Sequence, residues 1–210
     1  MMKTAMRISC PAIRVVAATA AFLAALAAAS AHAQAVAGPV MLVAKPQLVL
    51  GFQQTVLVAA PFGEDGYVGF IINRPLQHTL ASLVPGHEAA HKVVDPVRFG
   101  GPESVDQIFA VVRSGNSPGA ESLPLFGDLY VAAGAEDIRN IVERTPNDAR
   151  YFAGFVKWRP GELDAEIAQG IWYVMTPDAE LMFREDAKSM WLDLVRRMGI
   201  EPLTPDGRAI

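Results

Sequence analysis

Residues 151–175 have the sequence YFAGFVKWRPGELDAEIAQGIWYVM, in which two apolar runs flank a segment with helical features. The runs at 151–156 and 171–175 are short and rich in aromatic and β-branched residues, which predicts two strands. Between them, residues 160–169 are predicted to form a helix, because proline stands at the first position and Gly170 follows the last. We therefore expect a strand, a helix and a second strand in this segment.

Similar apolar runs recur before this segment and predict five further strands, at residues 41–44, 55–60, 67–72, 107–112 and 128–132. Two more helices are predicted at 136–144 and 187–198, since each places its apolar side chains along one stripe. Residues 78–97 and 113–126 show neither pattern and are predicted to be irregular connections. Because the strands occur in clusters and do not alternate strictly with helices, the pattern favours a mixed α+β domain.

Three blocks of the chain together resemble the YqgE/AlgH family. They are GYVGFIINRPL at 66–76, FGGPES at 99–104 and the segment 151–175, and they occur in the family's order. The resemblance extends from residue 41 to about residue 200 and implies a bent, largely antiparallel sheet that closes toward a barrel, with helices packed outside. The family is widespread in bacteria and its biochemical activity is unsettled, although one member carries the label of a regulator of alginate synthesis.

The first 33 residues have the features of a secretory signal peptide. Lys3, Arg7 and Arg14 precede an apolar run at 15–29, and an Ala-His-Ala sequence ends at Ala33. A retained membrane anchor is disfavoured, because the run is shorter than the ~20 residues that span a bilayer. We expect cleavage after Ala33, a single domain at 34–210, and a periplasmic or secreted protein without a stable membrane anchor.

The net charge of the predicted mature chain indicates which classes of partner it can bind. Residues 1–33 contain three of the 18 basic residues and none of the 22 acidic ones, so removing them changes the formal net charge from −4 to −7. Nucleic-acid binding needs clustered basic residues to neutralise phosphates, so we expect no nucleic-acid partner. Cys10, the single cysteine, leaves with the signal peptide, which excludes disulfides and thiol chemistry from the mature chain.

The sequence HEAAH at 87–91 matches the zinc-binding pattern H-E-x-x-H. In that pattern His87 and His91 would hold zinc one helical turn apart, and Glu88 would activate a bound water. However, Gly86 and Pro96 leave room for only a short helix, and a third ligand is not evident. We expect a solvated loop or short helix here, no cofactor and no metal, and keep a metal-dependent hydrolase as the alternative.

Two turns with glycine or proline are candidate binding elements. Pro75 restricts Arg74 to an extended conformation, so Asn73 and Arg74 could face an anionic ligand or partner. Their structural alternative is strand termination, with Asn73 bonded to local backbone and Arg74 to a carboxylate. Gly100 and Gly101 could present free amides to an anion, or could form a tight turn or a close backbone contact.

A third candidate element joins the strand at 151–156 to the following helix. Trp158 could form a platform for a ligand, and the amides after Gly161 could hold an anion at the start of the helix. Glu162 and Asp164 already place negative charge in that first turn, which makes an anion site there less favourable. Tryptophans in such positions more often belong to the core.

These observations favour a non-enzymatic binding or regulatory module with a small ligand or a protein as partner. The exported hydrolase is the alternative, a structural envelope protein is a third class, and a transcriptional regulator is disfavoured by charge and by the predicted export. The candidate binding residues are Asn73, Arg74, Gly100, Gly101, Trp158 and Gly161. Convergence of these residues on one cleft would favour a shared binding site.

Overall fold

A computed structural model describes residues 36–48, 51–64 and 66–200 of the chain. The predicted signal peptide at 1–33 lies outside these residues, so its prediction stays open. Within the described ranges, no helix combines the length and the apolar character that crossing a bilayer requires.

The described residues form one nine-stranded sheet whose strands follow the order β6-β7-β5-β8-β3-β2-β1-β9, with the short β4 beside β8. All strand pairs are antiparallel except β4 with β8, which is parallel. The strands are β1 Val40–Ala44, β2 Val56–Phe62, β3 Gly66–Ile71, β4 Arg98–Phe99, β5 Glu103–Arg113, β6 Ser122–Phe126, β7 Leu129–Ala132, β8 Ala149–Trp158 and β9 Trp172–Met175.

Short helices connect and cover the strands. They are α1 Leu80–Leu83, a 3-10 helix at Glu88–Lys92, α2 Ala135–Arg144, α3 Glu162–Ala168, α4 Ala179–Phe183 and α5 Met190–Arg197. Trp191 fixes α5 to the sheet, because its indole N–H donates to the Ala44 carbonyl of β1 at 2.7 Å.

The predicted strands and helices are all present, with bounds that differ by a few residues or less at most ends. The strand predicted at 107–112 is longer and begins at Glu103. The prediction of irregular connections was wrong in part: residues 78–97 contain α1 and the 3-10 helix, and residues 113–126 end in β6. These elements are too short for a hydrophobic period to reveal them.

The sheet is curled into a half-barrel, as the family resemblance implied. The strands β6 and β2 are far apart in the strand order, yet Leu123 of β6 and Phe62 of β2 line the same cavity. The other face of β5, β7 and β8 packs against α1, α2 and the 3-10 helix through a second cluster that includes Val112, Ile141 and Tyr151. The prediction of a bent, largely antiparallel sheet with helices outside is confirmed.

The β5–β8 pair has a bulge opposite Gly154, and this bulge decides which β8 side chains face the inside of the curl. Gly154 has a φ of +72°, and the pairing of β5 with β8 shifts register between Glu103 and Ile108. Four residues of β5, 104–107, lie opposite Gly154, and Ala153 before this point packs in the second cluster on the other face of the sheet. Beyond the bulge, Phe155 and Lys157 therefore point into the concave side of the sheet, where both line a cavity.

Two buried arginines hold the C-terminal part of the chain against the sheet. Arg98 is 2% exposed and donates to the carbonyls of Met182 and Arg184 at 3.1 and 2.9 Å, and Arg150 donates to that of Phe183 at 2.7 Å. Burial, together with the nearby Arg150 charge, lowers the pKa of Arg98 to about 10. Both guanidinium groups are occupied by backbone carbonyls, so their role is structural.

Candidate functional site

The side chains of Asn73 and Arg74 form hydrogen bonds with the segment that leads from β1 into β2. The Asn73 side chain accepts the Val56 N–H and donates to the Gln54 carbonyl, each at 2.8 Å. Arg74 donates to the Gln53 carbonyl at 3.0 Å and to the Thr55 hydroxyl at 2.8 Å. The local bonding expected for Asn73 is present, but the expected carboxylate partner of Arg74 is replaced by a carbonyl and a hydroxyl. Burial lowers the pKa of Arg74.

Gly100 and Gly101 lie where two backbones touch. The Gly100 N–H donates to the Ala153 carbonyl, and its own carbonyl accepts the Ile71 N–H, both at 2.8 Å. A Cβ on Gly100 would lie 2.1 Å from the Gly154 carbonyl oxygen, and one on Gly101 would lie 2.3 Å from the Phe155 backbone. The glycines therefore permit close packing against the β8 backbone at Gly154 and Phe155.

Trp158 lines a cleft of about 350 Å³ together with Phe52 and Trp172. The indole N–H groups of Trp158 and Trp172 both donate to one carboxylate oxygen of Glu166, at 3.0 and 2.7 Å. The Trp158 side chain is 4% exposed, so it presents little surface to this cleft. We call this site the tryptophan cleft.

Gly161 precedes α3 in the left-handed conformation, with a φ of +79°, and a Cβ added there would meet open space. The nearby carboxylates are engaged: Glu162 accepts the Arg159 N–H at 2.8 Å, and Asp164 accepts the Val36 N–H at 2.9 Å. Gly161 thus serves the turn from β8 into the helix. Of the six candidate residues, Trp158 alone lines the tryptophan cleft, so the six do not converge there.

The HEAAH segment does not have α-helical geometry. Glu88–Lys92 is a 3-10 helix with His87 as its N-terminal cap. A 3-10 helix has three residues per turn, so positions four apart do not lie above one another. His91 is exposed, whereas Nε2 of His87 is buried and has no hydrogen-bond partner among the described atoms. In residues 36–48, 51–64 and 66–200, no three His, Cys, Asp or Glu side chains are grouped to hold a metal ion.

The concave side of the sheet forms a partly open cavity of about 190 Å³, which we call the inner cavity. Its lining comes from β2, β3, β5, β6, β7 and β8 and is almost entirely apolar. Its lining includes Phe62, Val68, Phe70, Phe109, Leu123, Leu125, Phe155 and Lys157. Two of these large apolar side chains are unusually exposed, Phe62 at 45% and Leu123 at 48%. They are the exposed apolar part of the cavity's wall.

Two charged residues, Lys157 and Glu121, also line the inner cavity. Lys157 lies opposite Val68 in the β3–β8 pair, and Val68 in turn lies opposite Ala60 in β2. Neither side chain takes part in a hydrogen bond or ion pair with the described residues. The cavity therefore combines an apolar interior with charge that is available for a ligand.

Sequence reasoning missed the inner cavity. Lys157 and Phe155 belong to the segment 151–175, one of the three blocks that carry the family resemblance, but the direction of their side chains depends on the bulge at Gly154. Glycine inside a strand pattern is a signal for a bulge, and it could have indicated the change of face. Nothing in the sequence shows that β6 and β2 approach each other to complete the wall.

Comparison with known proteins agrees with the resemblance of the three sequence blocks. The family model described as AlgH-like matches residues 41–203. A UPF0301 protein from Chlorobium limicola is 28% identical over 167 residues, which cover 78% of this chain and 87% of that protein. A UPF0301 protein from Chlorobaculum tepidum is 27% identical over 169 residues, again 78% and 87% of the two chains.

Solved structures share the fold. The solution structure of the AlgH protein from Pseudomonas aeruginosa superposes with a TM-score of 0.64 at 24% identity and covers 77% of this chain and 88% of that one. The crystal structure of a protein from Corynebacterium diphtheriae gives 0.63 at 23% identity, with 76% and 85% covered. The family match and the shared half-barrel lead to one conclusion: the chain belongs to the AlgH-like family.

Proposed function

We propose that the protein is a non-enzymatic binding or regulatory module that holds a small ligand in its inner cavity. The observation that carries this proposal is an apolar cavity of about 190 Å³ on the concave side of the sheet, next to an exposed Phe62 and Leu123. Ligand sites are typically concave and mostly apolar, with a few polar groups that orient the ligand. The inner cavity has this composition.

The free energy of binding would come from filling the empty volume of the inner cavity. Apolar cavities of roughly 150 Å³ can stay dry and take up a small apolar molecule, because the wall atoms lack contacts on one side. A ligand in the inner cavity would supply those contacts and would cover the exposed parts of Phe62 and Leu123. Since the chemistry of the lining is apolar contact plus two charges, it suits binding better than bond cleavage.

Binding of a neutral apolar probe tests this proposal. Toluene titrated into protein with labelled methyl groups should shift the resonances of Val68, Leu123 and Leu125 in a saturable way. Val68→Phe should reduce these shifts, because the larger side chain fills the cavity. Val105→Phe is the matched control, since Val105 is 54% exposed and lies outside the cavity lining. Unchanged methyl resonances, or equal binding by Val68→Phe, would contradict the proposal.

We also propose that the protein is exported and has no nucleic-acid partner. The basic, apolar and Ala-His-Ala features of residues 1–33 support export, and the charge of −7 for residues 34–210 opposes phosphate binding. N-terminal sequencing of the cellular protein should begin at Gln34, and recovery of the full-length chain from the cytoplasm would contradict export. Salt-sensitive binding to duplex DNA at micromolar concentration would contradict the proposal that the protein has no nucleic-acid partner.

A further inference from the structure

We infer that the ligand of the inner cavity is a small aromatic monocarboxylate, with its ring among the phenylalanines of the wall and its carboxylate at Lys157. This inference rests on the proposed function and specifies the ligand class. It draws on two independent features of the site, the aromatic lining and the distribution of charge around it.

The lining favours a ring. Phe70, Phe109, Phe155 and Phe62 all line the cavity, and Phe109 meets Phe155 edge to face with ring centroids 5.3 Å apart. Phe70 and Phe109 are tilted at 5.9 Å. Aromatic rings prefer such edge and offset contacts over a flat stack, so these side chains present edges and faces to a further ring. The volume of about 190 Å³ suits a single ring with a short substituent.

The charge at Lys157 favours an anion. This ammonium group has no hydrogen bond or ion pair among the described residues, and its cross-strand neighbour Val68 gives it no polar contact. Lys157 lines both the inner cavity and the tryptophan cleft. On the side of the inner cavity its neighbours are mostly apolar, so a carboxylate on a ligand in that cavity would be placed next to it. One carboxylate is sufficient to complement this single positive charge.

The second charged residue, Glu121, is already complemented by the fold. A Cβ added to Gly134 would lie 2.5 Å from Oε2 of Glu121, so the carboxylate is next to the N-terminal cap of the ten-residue helix α2. Negative charge is stabilised at the N-terminus of a helix by the aligned peptide dipoles. The charge of Glu121 is therefore already stabilised by the protein, whereas the charge of Lys157 is not. A ligand anion at Lys157 is favoured over a ligand cation at Glu121.

Binding of phenylacetate and its neutral isostere phenylacetamide, measured by calorimetry, tests this inference. The full wild-type protein should bind phenylacetate about fivefold more tightly, which is the range of a solvent-accessible ion pair. Lys157→Gln should remove this preference, because phenylacetate then has no cation beside its carboxylate. Lys188→Gln, at another exposed lysine, is the matched control and should behave as the wild type.

The possible results separate the inference from the proposed function. If toluene and phenylacetamide bind but phenylacetate has no advantage, or if Lys157→Gln keeps the advantage, the ligand class is wrong and the binding function stands. Tighter binding of phenylethylammonium than of phenylacetate would overturn the assignment of Lys157 in favour of Glu121. If none of the probes, toluene included, reaches the cavity, both proposals fail.

Discussion

The motif-bearing turns and the inner cavity use their polar groups in opposite ways. At the turns, Asn73, Arg74 and Gly100 direct their polar atoms to nearby backbone and hydroxyl groups. In the inner cavity, the Lys157 ammonium and the Glu121 carboxylate make no hydrogen bond or ion pair with the described residues. The glycine, proline and asparagine turns thus stabilise the fold, and the candidate ligand site is formed by apolar and charged side chains of the strands between them.

This difference has a physical cause. Glycine, proline and asparagine are recognisable in a sequence because particular backbone conformations and close contacts require them. A cavity wall requires apolar side chains of suitable size, and many combinations satisfy that condition. Substitutions at the turns should therefore reduce stability, whereas substitutions in the cavity should change binding.

The largest effect is expected for Gly100→Ala. Its Cβ would lie 2.1 Å from the Gly154 carbonyl oxygen, which belongs to the backbone and cannot rotate away. We expect the free energy of unfolding to fall by about 3 kcal/mol, because overpacking at this contact forces β4 and β8 apart. Urea denaturation followed by circular dichroism measures the change.

Gly115→Ala is the control for this prediction. A Cβ at Gly115 meets nothing within 4 Å, so its stability should match the wild type. Equal stability of Gly100→Ala and Gly115→Ala would show that the Gly100 contact is loose, and the contrast between turn and cavity would lose its main support.

A smaller decrease in the free energy of unfolding is expected for Asn73→Ala. The substitution removes both bonds of the side chain and leaves the buried Val56 N–H without its acceptor. An unsatisfied buried donor costs about 2 kcal/mol, and the same denaturation measurement should detect this loss. Asn116→Ala, at an exposed residue, should have little effect. If Asn73→Ala instead left stability intact and abolished toluene binding, Asn73 would belong to a ligand site.

The smallest effect is expected at the H-E-x-x-H segment. His91 is exposed and lies in the last turn of the 3-10 helix, so His91→Ala should change the free energy of unfolding by less than about 0.5 kcal/mol. Elemental analysis of the purified protein should find no stoichiometric zinc. Tightly bound zinc that is lost in His91→Ala, with peptide hydrolysis lost in Glu88→Gln, would make the hydrolase the leading function.

The sequence was sufficient to predict the α+β class and most strands, because runs such as 41–44 and 67–72 are nearly continuous in apolar residues. The family resemblance added the bent sheet. β4 could not be predicted from the sequence, since it has only two residues and its pairing with β8 is a long-range contact. β6 was missed because exposed residues and Pro124 interrupt its apolar pattern.

The candidate site was much less predictable. Lys157 is an ordinary lysine near the end of a strand, and its place in the cavity wall follows from the bulge at Gly154 and from the curl that brings β6 toward β2. The structural role of Arg98 was equally unpredictable from the sequence. Nothing in its neighbourhood in the sequence indicates that the carbonyls of Ile72 and Met182, at 2.7 and 3.1 Å, would enclose its guanidinium group.

The shared carboxylate of Glu166 has a consequence for spectroscopy. The chain contains three tryptophans, and all three are buried and hydrogen-bonded, Trp158 and Trp172 to Glu166 and Trp191 to the Ala44 carbonyl. Trp158 follows Lys157 in β8, so its indole points away from the inner cavity. Intrinsic fluorescence should therefore shift to longer wavelength when the chain unfolds and stay nearly constant when the inner cavity is filled.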